Sequence, residues 1–154
     1  MKCQLFYLIV ILAFITACSN KEADSIMNQE IIIKGGYFFG ECFGTCQATV
    51  EIIGTTVKYT GKDNSKNNAE KQCSAKVSAR VISDLEAAID FDEFGKLPMV
   101  IGCPDCADGG AQWIEIVKSG ESHKVVFDYN RPPDAIKELA NFFSAQFTNF
   151  KNCR

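Results

Sequence analysis

The residues with most capacity for chemistry are cysteines, six of which fall between positions 42 and 153. Two short pairs stand out. Cys42 and Cys46 enclose Phe43-Gly44-Thr45, and Cys103 and Cys106 enclose Pro104-Asp105. Bonded cysteines need Cα atoms roughly 4.4–6.8 Å apart, a span that a hairpin mouth meets and that a four-residue turn with proline second also meets. The Cys-x-x-Cys at 103–106 is equally the pattern of a thiol–disulfide redox centre, which needs a thiolate stabilised by a helix N-terminus or a nearby cation. Asp105 and Asp108 oppose that charge, and Gly109-Gly110 oppose a helix. A third arrangement would gather Cys42, Cys46, Cys103 and Cys106 around zinc, since two short pairs on separate loops are the usual supply of four thiolates.

Other reactive residues carry less. His123, the only histidine, alternates with Val125, Phe127 and Tyr129 and reads as a structural strand residue, with no partner in the pattern to orient it for nucleophilic catalysis. Asp90, Asp92 and Glu93 read as the solvated end of a helix. Asp105 and Asp108 are too few for calcium, which takes about six to eight oxygens. No phosphate-cradling glycine loop or dinucleotide fingerprint occurs. The sequence therefore predicts no catalytic residue, no cofactor and no dedicated metal site.

Strands and helices must position the cysteines. Ile31-Ile32-Ile33 begins a strand that runs into Tyr37-Phe38-Phe39, and the Gly35-Gly36 pair predicts a bulge or break within it. Beyond Cys46, Ala48, Val50 and Ile52 alternate with polar residues, the period of a half-buried strand. Gly54-Thr55 turns the chain into a short third strand at Val57-Lys58-Tyr59, followed by a polar loop from Gly61 to Asn68. A fourth strand near Lys71 to Val77 puts Cys73, Ala75 and Val77 on one face, towards the core. Ser78 caps a helix over about 79–90, where Val81, Ile82, Leu85, Ala88 and Ile89 form one stripe.

A long loop, Gly95 to Ala111, leads to a hairpin of Gln112–Lys118 and Ser122–Tyr129. Pro132-Pro133 starts a last helix with Ile136, Leu139, Ala140, Phe143 and Phe147 on one face. The order ββββ-α-ββ-α predicts an α+β domain: a mainly antiparallel sheet with two helices packed on one face. That packing brings the last helix near Cys73, so Cys73 is expected to pair with Cys153. Six cysteines permit many complete pairings, however, and spacing alone leaves the connectivity open.

The N-terminus carries an address. Lys2 precedes eleven uninterrupted apolar residues, Leu5 to Ile15, which suits a signal peptide and falls short of the about 18 needed to span a membrane. Ile15-Thr16-Ala17-Cys18 resembles the lipobox of bacterial lipoproteins. The resemblance implies cleavage after residue 17 and acylation of Cys18, with the two or three acyl chains that give permanent anchoring. Residues 18–30 read as a lipidated N-terminus and flexible tether, and 31–154 as one domain. Serine after the cysteine, by the sorting rule of many Gram-negative lipoproteins, implies an outer-membrane location in the cell envelope. The even cysteine count fits an oxidising compartment. The chain has 16 basic and 19 acidic residues and a net charge of −3, which excludes nucleic acid as an electrostatic partner.

Cys42-Phe43-Gly44-Thr45-Cys46 leading into a strand, with Val57-Lys58-Tyr59-Thr60-Gly61 after it, resembles an uncharacterised bacterial domain family common in lipoproteins. That family is marked by Cys-Phe-Gly-Thr-Cys-Pro, and this chain departs from it at Gln47. The resemblance implies the fold class and the exported address, and no reaction.

The expected function is thus a membrane-anchored, non-enzymatic binding or structural module, meeting an envelope protein or a glycan through its surface. The alternatives are a thiol–disulfide protein using Cys103 and Cys106, or a cysteine-based zinc module. Within the long loop, Pro104, Asp105 and Asp108 form the candidate contact surface, with Trp113 just beyond. The loop far exceeds the about four to six residues an ordinary connection takes.

Overall fold

The computed structural model describes residues 31–67 and 69–153. The expected signal peptide, the expected lipidation site Cys18 and the expected tether lie outside the described residues. The elements run β1 (Ile32–Phe38), β2 (Thr45–Ile53), β3 (Thr56–Asp63), β4 (Ala69–Lys76), α1 (Ala79–Ala87), α2 (Phe91–Lys96), β5 (Val100–Ile101), β6 (Ala111–Lys118), β7 (Glu121–Asp128) and α3 (Lys137–Asn149). The strands form one seven-stranded sheet in the order β4-β3-β2-β1-β6-β7-β5. All neighbours are antiparallel except β5, which lies parallel to β7. The α+β class holds. The two-helix count does not, and neither does the simple element order.

Alternation divides the sheet into two faces. One carries Ile33, Val50, Ile52, Val57, Ile114, Ile116, Val125 and Phe127, which join Ile82 and Leu85 of α1, Phe94 of α2 and Leu139, Ala140 and Phe143 of α3 in a single core. Among the described residues no helix is long and apolar enough to cross a membrane. The other face is open. In register across it stand Lys58, Glu51, Lys34, Glu115 and Lys124, one from each of five adjacent strands. Of these, Lys34 and Glu51 form an ion pair at 3.2 Å. Opposite charges placed directly across strands favour one register.

Several local readings change. β1 runs unbroken through Gly35 and Gly36. A Cβ on Gly35 would enter the ring of Phe143 on the helical face, and one on Gly36 would enter the ring of Trp113 on the open face. The glycines admit two aromatic rings, and the irregularity lies in β2 between Thr45 and Gln47. The expected loop from Gly61 is mostly strand: β3 continues to Asp63, whose carboxylate accepts from the Ser65 amide at 3.0 Å, and β4 starts at Ala69.

The first helix ends at Ala87 rather than 90, and Asp90 caps a separate helix by accepting from the amides of Asp92 and Glu93. The long loop contains β5, held by pairing with Val126 and Phe127. Cys73 is half-buried against the core as expected, whereas Ala75 on the same strand is exposed. α3 begins only after a 3-10 turn, Asp134–Ile136, that follows the Pro132-Pro133 pair.

Candidate functional site

Antiparallel register puts the C-terminal ends of β1, β3 and β7 and the starts of β2, β4 and β6 at one edge of the sheet. Both short cysteine pairs fall there. Cys42 and Cys46 are bonded with Cα atoms 5.7 Å apart, and Cys103 and Cys106 with Cα atoms 5.5 Å apart. The third pair, Cys73 with Cys153, has a Cα separation of 6.0 Å and ties β4 to the chain just past α3.

The first ring closes the β1–β2 connection. The Phe39 amide donates to the Cys46 carbonyl at 3.0 Å, and Gly44 takes a φ of +93°, which a side chain would strain. Cys46 is fully buried and anchors the ring. Phe43, between the two half-cystines, is 93% exposed. Sequence reasoning missed it. The available signal was an apolar residue locked between two cysteines and beside a glycine, with no periodic partner to draw it inward.

The second ring is a turn in which the Cys106 amide donates to the Cys103 carbonyl at 3.0 Å. Asp105 takes a left-handed φ of 60° there. Its Oδ1 accepts from the Gly110 amide at 3.1 Å and from the Gly40 amide, in the neighbouring connection, at 3.4 Å. Asp128 accepts from the Cys103 amide at 2.9 Å. One carboxylate therefore joins the two stapled loops, and a second fastens the outer one to β7. Pro104 is half-buried and Asp108 exposed in this loop. Trp113 is placed differently from the expectation: it packs on Gly36 in the open face with the Lys124 ammonium 4.0 Å from its ring centroid.

Both rings are closed by disulfides. Left-handed φ values at Asp105, Ala107 and Asp108 prevent a regular helix, so no helix N-terminus faces the sulfurs. Arg131 borders the hollow beside the pair, but Asp105, Asp108 and Asp128 belong to the loop or bond to it. The four sulfurs proposed for zinc are each tied to a neighbour, and among the described residues no group of three or more His, Cys, Asp or Glu gathers as metal ligands. His123 is structural: its Nε2 lies 3.0 Å from the Leu97 carbonyl, with the ring edge-on to Phe94.

No family model and no curated protein matches the chain. Its functional reading rests on its own residues.

Behind the rings, on the helical face, four aromatic side chains meet. Tyr37 and Phe147 have centroids 4.9 Å apart, Phe39 and Tyr129 4.8 Å, and Tyr37 and Tyr129 6.1 Å. Burial pushes the Tyr37 phenol up to about 12, helped by the neighbouring phenols of Tyr59 and Tyr129. These residues lie at positions 37, 39, 129 and 147, so no local spacing revealed them.

Proposed function

We propose that this chain is an exported lipoprotein, anchored through Cys18 in the cell envelope of a Gram-negative bacterium, that works without catalysis by holding a rigid contact surface towards a partner. The observation that carries this reading is the convergence of two disulfide-closed loops at one end of the sheet, joined through Asp105 and presenting Phe43 to solvent. An exposed aromatic on a preorganised loop loses little freedom on binding and is the kind of side chain that dominates interfaces. The tether leads into β1 at Ile32, whereas both rings lie beyond the far end of that strand, next to Phe38. The chain from Cys18 thus enters the domain at the end opposite the rings.

The test compares partners captured from the native envelope by the wild-type protein, by Phe43→Ser and by the double replacement of Cys103 and Cys106 with serine, each with folding verified. One partner common to the wild type and lost from Phe43→Ser supports the reading. Identical capture by all three overturns it. Insulin reduction that disappears in Cys106→Ser would favour the redox alternative, and stoichiometric zinc in protein purified without chelator the metal one.

A further inference from the structure

We propose that the hollow between the end of β1, the residues after β7 and the last turns of α3 binds a neutral saccharide. The inference rests on the reading that this end of the domain is its binding surface. It concerns the helical side of that end, however, not the rings themselves.

The hollow is an open depression of about 600 Å³, within the size range of small-molecule sites. Tyr37, Phe39, Tyr129 and Phe147 line it, each half-buried rather than sealed into the core. Such a surface suits a pyranose ring, which presents C–H bonds on one face and hydroxyls around its rim. The rim needs polar partners, and the site supplies them. Gln112 is only 5% exposed, and its Oε1 accepts from the Asn130 amide at 2.9 Å, which fixes the orientation of the side-chain amide. The Nε2 group carries two N–H donors and makes only a long 3.5 Å bond to Ser144 Oγ. The Tyr37 hydroxyl likewise gives only a long 3.5 Å bond to the Thr45 carbonyl. With its ionisation moved to about 12 it stays a neutral donor and acceptor.

Other ligand classes fit less well. No carboxylate or histidine lines the hollow, so a cation finds no counter-charge. Phosphate and other strong anions favour helix N-termini, whereas α3 turns its C-terminal, electronegative end to this space, and Lys151, among the described residues the one charged residue lining the hollow, is offset by that end. A purely apolar ligand would strip water from the Gln112 amide and the Ser144 and Thr148 hydroxyls without replacing their hydrogen bonds.

The experiment titrates the purified full chain with maltotriose, cellotriose, xylotriose and chitotriose, with trigalacturonate and AMP as charged comparisons. The readouts are the NMR signals of the Gln112 side-chain amide and the tyrosine rings. At least one neutral trisaccharide is expected to shift these signals saturably. Tyr129→Ala should weaken that binding about ten-fold, the loss expected for a removed stacking ring. Thr148→Arg, an exposed helix position that fills the hollow, should abolish it. Unchanged thermal midpoints show that both variants fold. No saturable shift with any neutral sugar, tighter binding of trigalacturonate or AMP, or unchanged affinity in Thr148→Arg overturns the assignment. Both variants leave the rings intact, so failure here does not decide the Phe43 test.

Discussion

Adjacent glycines in β1 do opposite jobs, because successive residues of a strand face opposite sides of the sheet. Gly35 makes room for Phe143, which is 2% exposed and held between α3 and the sheet. Gly36 makes room for Trp113 on the open face, where the ring is half-buried and can shift. Replacing a strand glycine by alanine ordinarily gains about 0.5–1 kcal/mol, but overpacking a core costs about 1–3 kcal/mol. Gly35→Ala is therefore expected to destabilise by about 1–3 kcal/mol in urea unfolding, and Gly36→Ala by clearly less. Equal losses would show that Trp113 is as confined as Phe143. Tyr37 adds a pH dependence. Folding keeps its phenol neutral up to about 12, whereas the unfolded chain ionises near 10. Between those values the unfolded state has released the proton and the folded state has not. Stability from this group is complete below about pH 10 and falls as pH rises towards 12. Tyr37→Phe should flatten that alkaline decline in thermal midpoint.

At the scale of elements, the three bridges differ in what they restrain. Cys73–Cys153 has a sequence separation of 80, and closing so long a loop removes unfolded-state entropy worth about 4 kcal/mol. It also pins β4, the edge strand whose side chains are mostly exposed and which, among the described residues, pairs with β3 alone. The other two join residues three and four positions apart, where the same reasoning gives about 2 kcal/mol. Replacing Cys73 and Cys153 with serine should thus lower the urea midpoint far more than replacing Cys103 and Cys106. Comparable losses would mean that the small ring shapes the native core. This hierarchy was legible in the sequence, because apolar alternation placed Cys73 inward and the stripe of the last helix had to cover the same face. Short elements were less legible. α2 has only six residues, and its cap Asp90 follows so closely on the stripe of α1 that local pattern merges the two helices. β5 has two residues and exists through its pairing with β7, a contact no window of sequence contains. The Gly35-Gly36 pair misled for the same reason: its cause is two rings that arrive from 77 or more positions downstream. Of the candidate site, the spacing of the cysteines permitted both small rings without selecting them over other pairings. The aromatic hollow was not legible, because its residues come from four separate elements and the loop after β7.

For the molecule as a whole, the core formed by the described residues is assembled between Ile33 and Phe150, well apart in sequence from Cys18. Anchoring and folding should then be separable. Cys18→Ala is expected to lose lipid label and shift from the membrane to the soluble fraction, while its urea midpoint stays that of the wild-type domain. Unchanged membrane fractionation would show that the Ile15-Thr16-Ala17-Cys18 segment is not a lipidation signal. Orientation gives the sharper test. β1 has seven residues, and at about 3.3 Å per residue the rings stand roughly 20 Å beyond the point where the tether joins the sheet. The turns at Gly54-Thr55 and Ser119-Gly120 lie at that joining end. Under the proposed anchoring, a partner that binds the Phe43 ring is expected to approach from the end opposite the tether. Its affinity for lipidated protein on vesicles should match its affinity for Cys18→Ala protein in solution. A large loss on vesicles would mean that the ring end faces the lipid, and Phe43 would then be read as a side chain that enters the bilayer surface rather than one that meets a protein.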